Sequence, residues 1–150
     1  MPRSPVCVDA NIAVKLVAPE PDRPLALALW ERWLKENREI VAPYLFSFEV
    51  TSALWQKARR HLLSMEEARE AIRRVLALGV RLLHPTDISL VAFDLAHRLG
   101  RPATYDTHYL ALAEILDIEF WTADERLYNA VREYFPRIRW LGDYDNSAPP

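Results

Sequence analysis

Five short apolar runs constrain this chain more than any other feature. Pro5–Val8, Glu39–Ala42, Val80–His84, Ile118–Thr122 and Arg137–Leu141 are each four or five residues long and are separated by stretches with helical spacing of apolar side chains. Strands this short, apolar on both faces and alternating with helices, predict a mainly parallel sheet covered by helices on both sides. The expected fold is therefore a three-layer α/β/α sandwich with five strands.

The helical stretches carry their own start and stop signals. Asn11–Val17 is short and stops before Pro19. Arg23–Lys35 places Leu25, Leu29, Trp30, Trp33 and Leu34 on one side, and Leu45–Arg60 is long. Ser64 followed by Glu67 is a capping box, opening a helix that Gly79 terminates near Leu78. Asp87 is placed to cap a helix that Gly100 closes. Tyr105–Glu114 is rich in alanine and leucine and reads as a buried helix, and Asp124–Tyr134 is helical up to Pro136. Two consecutive helices between the second and third strands form an added helical hairpin, available as a clip over an edge or as a docking surface. The expected organisation is one domain over 1–142 and a disordered tail over 143–150.

Composition removes several chemistries. The glycines are Gly79, Gly100 and Gly142, too few and too scattered for a glycine-rich phosphate loop. His61, His84, His97 and His108 lack HExxH spacing, Cys7 is the lone cysteine, and no GxSxG elbow occurs. No apolar run approaches the roughly 20 residues of a membrane span, and the N-terminus leads straight into a strand. With no internal disulfide possible, a cytoplasmic location is expected. Net charge is −2, although 16 of the 19 basic residues are arginine. That bias suits phosphate contacts and equally suits a GC-rich genome.

The remaining source of chemistry is carboxylates. In an open parallel sheet, ligands bind beyond the carboxyl ends of the strands, where strand order reverses. Asp9 follows the first strand directly, Asp124 lies two residues past the fourth, and Asp106 opens the helix leading into the fourth. Glu49 sits on a helical face with Leu45 and Ala53 and has no cation at i±3 or i±4. An ionised group there needs a partner from elsewhere. Each acid also has a plainer reading: Asp9, Asp106 and Asp124 as helix caps or first-turn charges, Glu49 as a solvated side chain, Thr122 as an ordinary strand hydroxyl. Taken together, and with no lysine expected beside them, the acids repel one another unless a hard cation such as Mg²⁺ or Mn²⁺ joins them.

Four segments occur in order: Val8-Asp9-Ala10-Asn11, Phe48-Glu49-Val50-Thr51-Ser52-Ala53-Leu54, Tyr105-Asp106-Thr107-His108-Tyr109-Leu110-Ala111-Leu112-Ala113 and Trp121-Thr122-Ala123-Asp124. Together they resemble the PIN-domain family, most closely the VapC-type toxins of toxin–antitoxin pairs, over residues 6 to about 141. The resemblance implies a PIN-like fold and an Mg²⁺-dependent ribonuclease, with Mn²⁺ as a substitute. Its catalytic and metal-binding acids would be Asp9, Glu49, Asp106 and Asp124, with Asn11 and Thr122 in support. It also implies hydrolysis of RNA to a 5′-phosphate and a 3′-hydroxyl, a homodimer, and a cognate VapB-like antitoxin whose C-terminal segment packs between the early helices. Thr107 and His108 depart from the small or apolar residues many relatives carry, which bears on substrate choice. Lys15, a turn or so beyond Asp9, is the leading candidate for RNA contact, ahead of Lys57, Arg59, Arg60 and His61.

Two other readings stay open at this stage. One is a PIN nuclease of RNA processing or quality control without an antitoxin. The other is a metal-binding signalling or adaptor domain, which would ordinarily need one acceptor aspartate and a lysine late in the chain.

Overall fold

The computed structural model describes residues 3–144. Its elements are β1 (Val6–Val8), α1 (Ala10–Val17), α2 (Arg23–Lys35), β2 (Ile40–Pro43), α3 (Leu45–Arg59), α4 (Met65–Leu76), β3 (Arg81–Leu83), α5 (Ile88–Arg98), α6 (Tyr105–Leu116), β4 (Phe120–Thr122), α7 (Glu125–Val131) and β5 (Ile138–Trp140). A 3₁₀ turn over Leu141–Asp143 follows.

All five strands are parallel, in the order β3-β2-β1-β4-β5. The chain steps outward from β1 to β2 and β3, then crosses back to β4 and β5. Strand order therefore reverses between β1 and β4, where Val8 stands opposite Trp121. Every expected strand is present, each trimmed to the three or four residues that pair. β3 is an edge strand bonded only to β2, which leaves Val80 and His84 outside it.

Helices α1 to α4 pack on one another, and α5 packs on α6, which also lies against β1, β2 and β4. Right-handed crossovers in opposite directions place these two groups on opposite faces of the sheet. α6 explains its own position. Tyr109, Leu110, Ala111, Leu112 and Ala113 are all fully buried, as a helical run apolar on every side must be. The α3–α4 hairpin rests on α1. Its second helix begins with the expected capping box: the Ser64 hydroxyl accepts the Glu67 N–H and the Glu67 carboxylate accepts the Ser64 N–H.

Asp87 is a correction. It precedes α5, but its side chain makes no capping hydrogen bond, because the backbone there lacks the extended conformation that aims a cap at the helix. Among the aromatics of the early helices, Trp30, Trp33 and Phe46 are buried while Phe48 and Trp55 are exposed. The expected tail falls mostly outside the described residues. Of its first two, Asp143 lies in the 3₁₀ turn and Tyr144 sets its ring edge-on to Trp121, 6.1 Å between centroids. No described helix is long and apolar enough to cross a membrane.

Candidate functional site

Asp9 stands where β1 turns into α1, and both its oxygens are engaged. Oδ1 accepts the backbone N–H of Asn11 at 3.4 Å and so caps α1, while Oδ2 accepts the Thr122 hydroxyl at 2.9 Å. Thr122 is the last residue of β4, held in place by the β1–β4 register and by the Asp9 N–H bond to the Trp121 carbonyl. Its hydroxyl also accepts from Asn11 Nδ2 at 3.2 Å and from the Asp124 N–H at 3.0 Å. One donor and two acceptor positions are all a hydroxyl has, so the Thr122 proton is committed to Asp9. Asn11 ties the far side, its Oδ1 accepting the Ala123 N–H at 3.0 Å. Asp124 Oδ1 accepts the Leu127 N–H at 3.1 Å and caps α7. The helix-cap reading is thus true of Asp9 and of Asp124, and it coexists with their place in this network.

Across from the network, Glu49 descends from α3 and Asp106 from the first turn of α6. Asp9, Glu49, Asp106 and Asp124 line one cleft of ≈ 330 Å³ at the switch point, with Asn11 and Lys15 also on its walls. All seven residues picked from sequence for the site therefore belong to one region, six lining the cleft and Thr122 buried just behind it.

The electrostatics follow from burial. Desolvation, then the neighbouring Glu49 and Asp106 charges, pushes the Asp9 carboxyl up to about 7, against the opposing hydrogen bonds from Thr122 and Asn11. Glu49 is raised by burial, with the nearby Tyr109 hydroxyl opposing and Asp106 adding to the rise. Asp106 is raised by burial and by Asp124, with Arg101 opposing. Each shift has the sign expected when carboxylates crowd together out of water.

Three contributors were not found from sequence. Arg101, in the α5–α6 loop, lies 3.6 Å from Asp106, five residues upstream of it, outside any motif. Glu20 binds Lys57 at 2.8 Å and stands 3.8 Å from Lys15, which also pairs with Asp22 at 2.9 Å. The expectation of acids without nearby lysine is therefore overturned. Lys15 and Lys57 both line the cleft, but their ammonium groups already have carboxylate partners. The third is Tyr109. It is fully buried, its hydroxyl faces Glu49 and Ala10, and neither Tyr109 Oη nor Glu49 Oε1 completes a hydrogen bond within the chain.

A buried hydroxyl without a partner is destabilising by about 1–3 kcal/mol. Tyr109→Phe is accordingly expected to leave the metal-free protein as stable as the parent or more so, as read by urea unfolding. A loss of more than about 2 kcal/mol would mean that the hydroxyl is bonded.

The donor set suits a divalent cation. Four carboxylates and no soft ligand match Mg²⁺ or Mn²⁺, and the orphaned Glu49 Oε1 is a buried acceptor still lacking a positive partner. As placed, no three acidic, histidine or cysteine side chains among the described residues already form a set able to hold an ion. The acids line the cleft wall without forming such a set.

Comparison with known proteins bears on the family. The model of the PIN domain matches residues 6–133, a span containing all the acids above. Ribonuclease VapC3 of Pyrobaculum aerophilum is 30% identical over 133 residues, covering 87% of this chain and 95% of the relative. From the all-parallel sheet, the acids at its switch point and a match that runs nearly end to end, it follows that this chain belongs to the PIN domain family.

Proposed function

We propose that this protein is a metal-dependent ribonuclease of the VapC type. It would hydrolyse RNA phosphodiester bonds to a 5′-phosphate and a 3′-hydroxyl and be restrained by a VapB-like antitoxin. The observation that carries the reading is the meeting of Asp9, Glu49, Asp106 and Asp124 in one cleft, with a buried Glu49 oxygen that no group of the chain satisfies. The name of the P. aerophilum relative, a ribonuclease, supports the choice of RNA.

In this reading Asp9 and Asp106 are the principal ligands of Mg²⁺ or Mn²⁺, and Glu49 and Asp124 contribute directly or through water. An ion held there would lower the pKa of water and offset charge on the phosphoryl oxygens. Asn11 and Thr122 orient the Asp9 carboxylate. Arg101 moderates the charge of Asp106. Water adds to phosphorus as the 3′ oxygen leaves and takes up a proton. Lys15 is a weaker candidate for RNA contact than its position alone suggests, because Asp22 and Glu20 compete for its charge.

Partners are part of the same proposal. The antitoxin segment would lie along the ≈ 370 Å³ groove between the end of α1 and the α3–α4 hairpin, where Leu63 and Ala71 are flanked by Glu66, Glu67 and Glu70. Leu90 and Phe93, exposed on α5, supply an apolar face for a homodimer, and the protein would act in the cytoplasm as a single domain.

The test is incubation with total cellular RNA. New 5′-phosphate ends are expected with Mg²⁺ or Mn²⁺ and none with EDTA. Equal cleavage in EDTA, or no cleavage with either ion, would sink the reading.

A further inference from the structure

A second cavity, of ≈ 250 Å³, lies beside the acidic cleft and is walled by rings: Tyr44, Phe48, His84, Tyr105 and His108, with Thr104 at its edge. The same two helices build both. On α3, Phe48 precedes Glu49; on α6, Tyr105 precedes Asp106. Consecutive helical residues point about 100° apart, so these two helices turn the rings and the carboxylates toward neighbouring faces.

These rings are not spare core. Tyr44, Phe48 and Tyr105 are 53%, 68% and 66% exposed. Tyr44 is stacked on His84, centroids 4.9 Å apart and planes 21° from parallel, which holds the pair as a flat platform. The polar atoms around the platform are ordered as well. His108 Nδ1 faces the Thr104 carbonyl. A carbonyl only accepts, so Nδ1 carries a proton. A small cavity with flat aromatic walls and a hydrogen-bonding rim suits one planar heterocycle. A helix of roughly 10–12 Å diameter does not fit in it.

We infer that this cavity is a nucleobase subsite. It receives an unpaired base next to the phosphate held at the acids, by stacking on Tyr44, Phe48 and Tyr105, with edge contacts from the rim. This rests on the reading of the protein as a ribonuclease and sharpens it: the substrate is single-stranded at that nucleotide, since a base in a helix cannot be splayed onto a ring. His108, which departs from the family pattern, belongs to this subsite rather than to the acid cluster.

The experiment measures binding separately from cleavage. Fluorescence anisotropy with Ca²⁺ in place of Mg²⁺ compares a 12-nucleotide single-stranded RNA with an otherwise identical strand of abasic ribose phosphates. The parent is expected to prefer the base-bearing strand. Phe48→Ala and Tyr105→Ala should each reduce that preference about tenfold, the scale of one lost stacking contact, with binding of the abasic strand unchanged. Phe48→Trp, which keeps a ring, should restore it. An undiminished preference in both alanine variants overturns the subsite. So does a fall in solution mass in those variants with the preference intact, which would make the patch an interface between copies of the chain. Failure of the ribonuclease reading shows elsewhere, as absence of Mg²⁺- or Mn²⁺-dependent cleavage by the parent.

Discussion

Replacing Asp9 by Asn is expected to reduce RNA cleavage by about 10²–10³-fold, the scale of losing one electrostatic stabiliser at a reacting centre, while the metal-free protein at pH 8 becomes more stable. The two effects have one cause. Asp9 is 7% exposed and crowded by Glu49 and Asp106, so its charge is costly until a cation offsets it. Asn removes the charge and retains one carbonyl oxygen, enough for either the Thr122 hydroxyl or the Asn11 N–H but not both. The lost bond costs about 1 kcal/mol, less than the relief of a buried like-charge cluster. Activity assays and thermal melts on the same preparation check both halves. Cleavage at the parental rate would remove Asp9 from the site, and a lower melting temperature at pH 8 would mean that its hydrogen bonds outweigh its charge.

The second large effect is the coupling of stability to pH and to metal. The Asp9 carboxyl titrates at about 7 in the folded chain and near 3.9 in the unfolded one. Below about pH 4 both states hold the proton. Between about pH 4 and pH 7 the folded state keeps a proton that the unfolded state has released, so stability falls as pH rises through this window and levels off above it. The Asp9 contribution is on the order of 4 kcal/mol at most. Glu49 and Asp106 are raised too and add with the same sign. Because the cation binds the deprotonated acids, Mn²⁺ should reverse this trend. At roughly a hundred times its dissociation constant an ion stabilises by about 2.7 kcal/mol, or roughly 5–10 °C in melting temperature for a domain this size. The rise should be largest near pH 8 and vanish near pH 4. A melting temperature indifferent to Mn²⁺ at pH 8 would contradict the proposed ligands.

Much of this arrangement was legible beforehand, for physical reasons. Short doubly apolar strands have few ways to be buried, so the parallel sheet could be read from Val6–Val8, Ile40–Pro43 and Phe120–Thr122. Acids that directly follow such strands must lie at the carboxyl edge, which located Asp9 and Asp124. Glu49 stood out because an apolar helical face rarely carries an acid without a nearby cation. Other features depended on contacts between distant segments. Tyr109 lies among Leu110, Ala111 and Leu112, all fully buried, and nothing in that run separates its hydroxyl from any other core tyrosine. The clamp of Glu20 on Lys57 joins residues 37 apart, and no periodicity signals it. The plain and functional readings of Asp9 were set against each other as alternatives. A carboxylate has two oxygens, and here one serves each purpose.

The aromatic side chains behind β4 carry a practical corollary. Trp30 lies 5.6 Å from Trp33, Trp33 lies 6.2 Å from Trp121, and Trp121 meets Tyr144 at the end of the described chain. Trp121 shares its backbone carbonyl with the Asp9 N–H. The molecule therefore contains its own optical reporter, seated on the strand whose last residue, Thr122, holds the Asp9 carboxylate. Intrinsic emission, excited near the indole band, offers a label-free signal for paramagnetic Mn²⁺ arriving at the carboxyl end of that strand, through quenching that a diamagnetic ion does not produce.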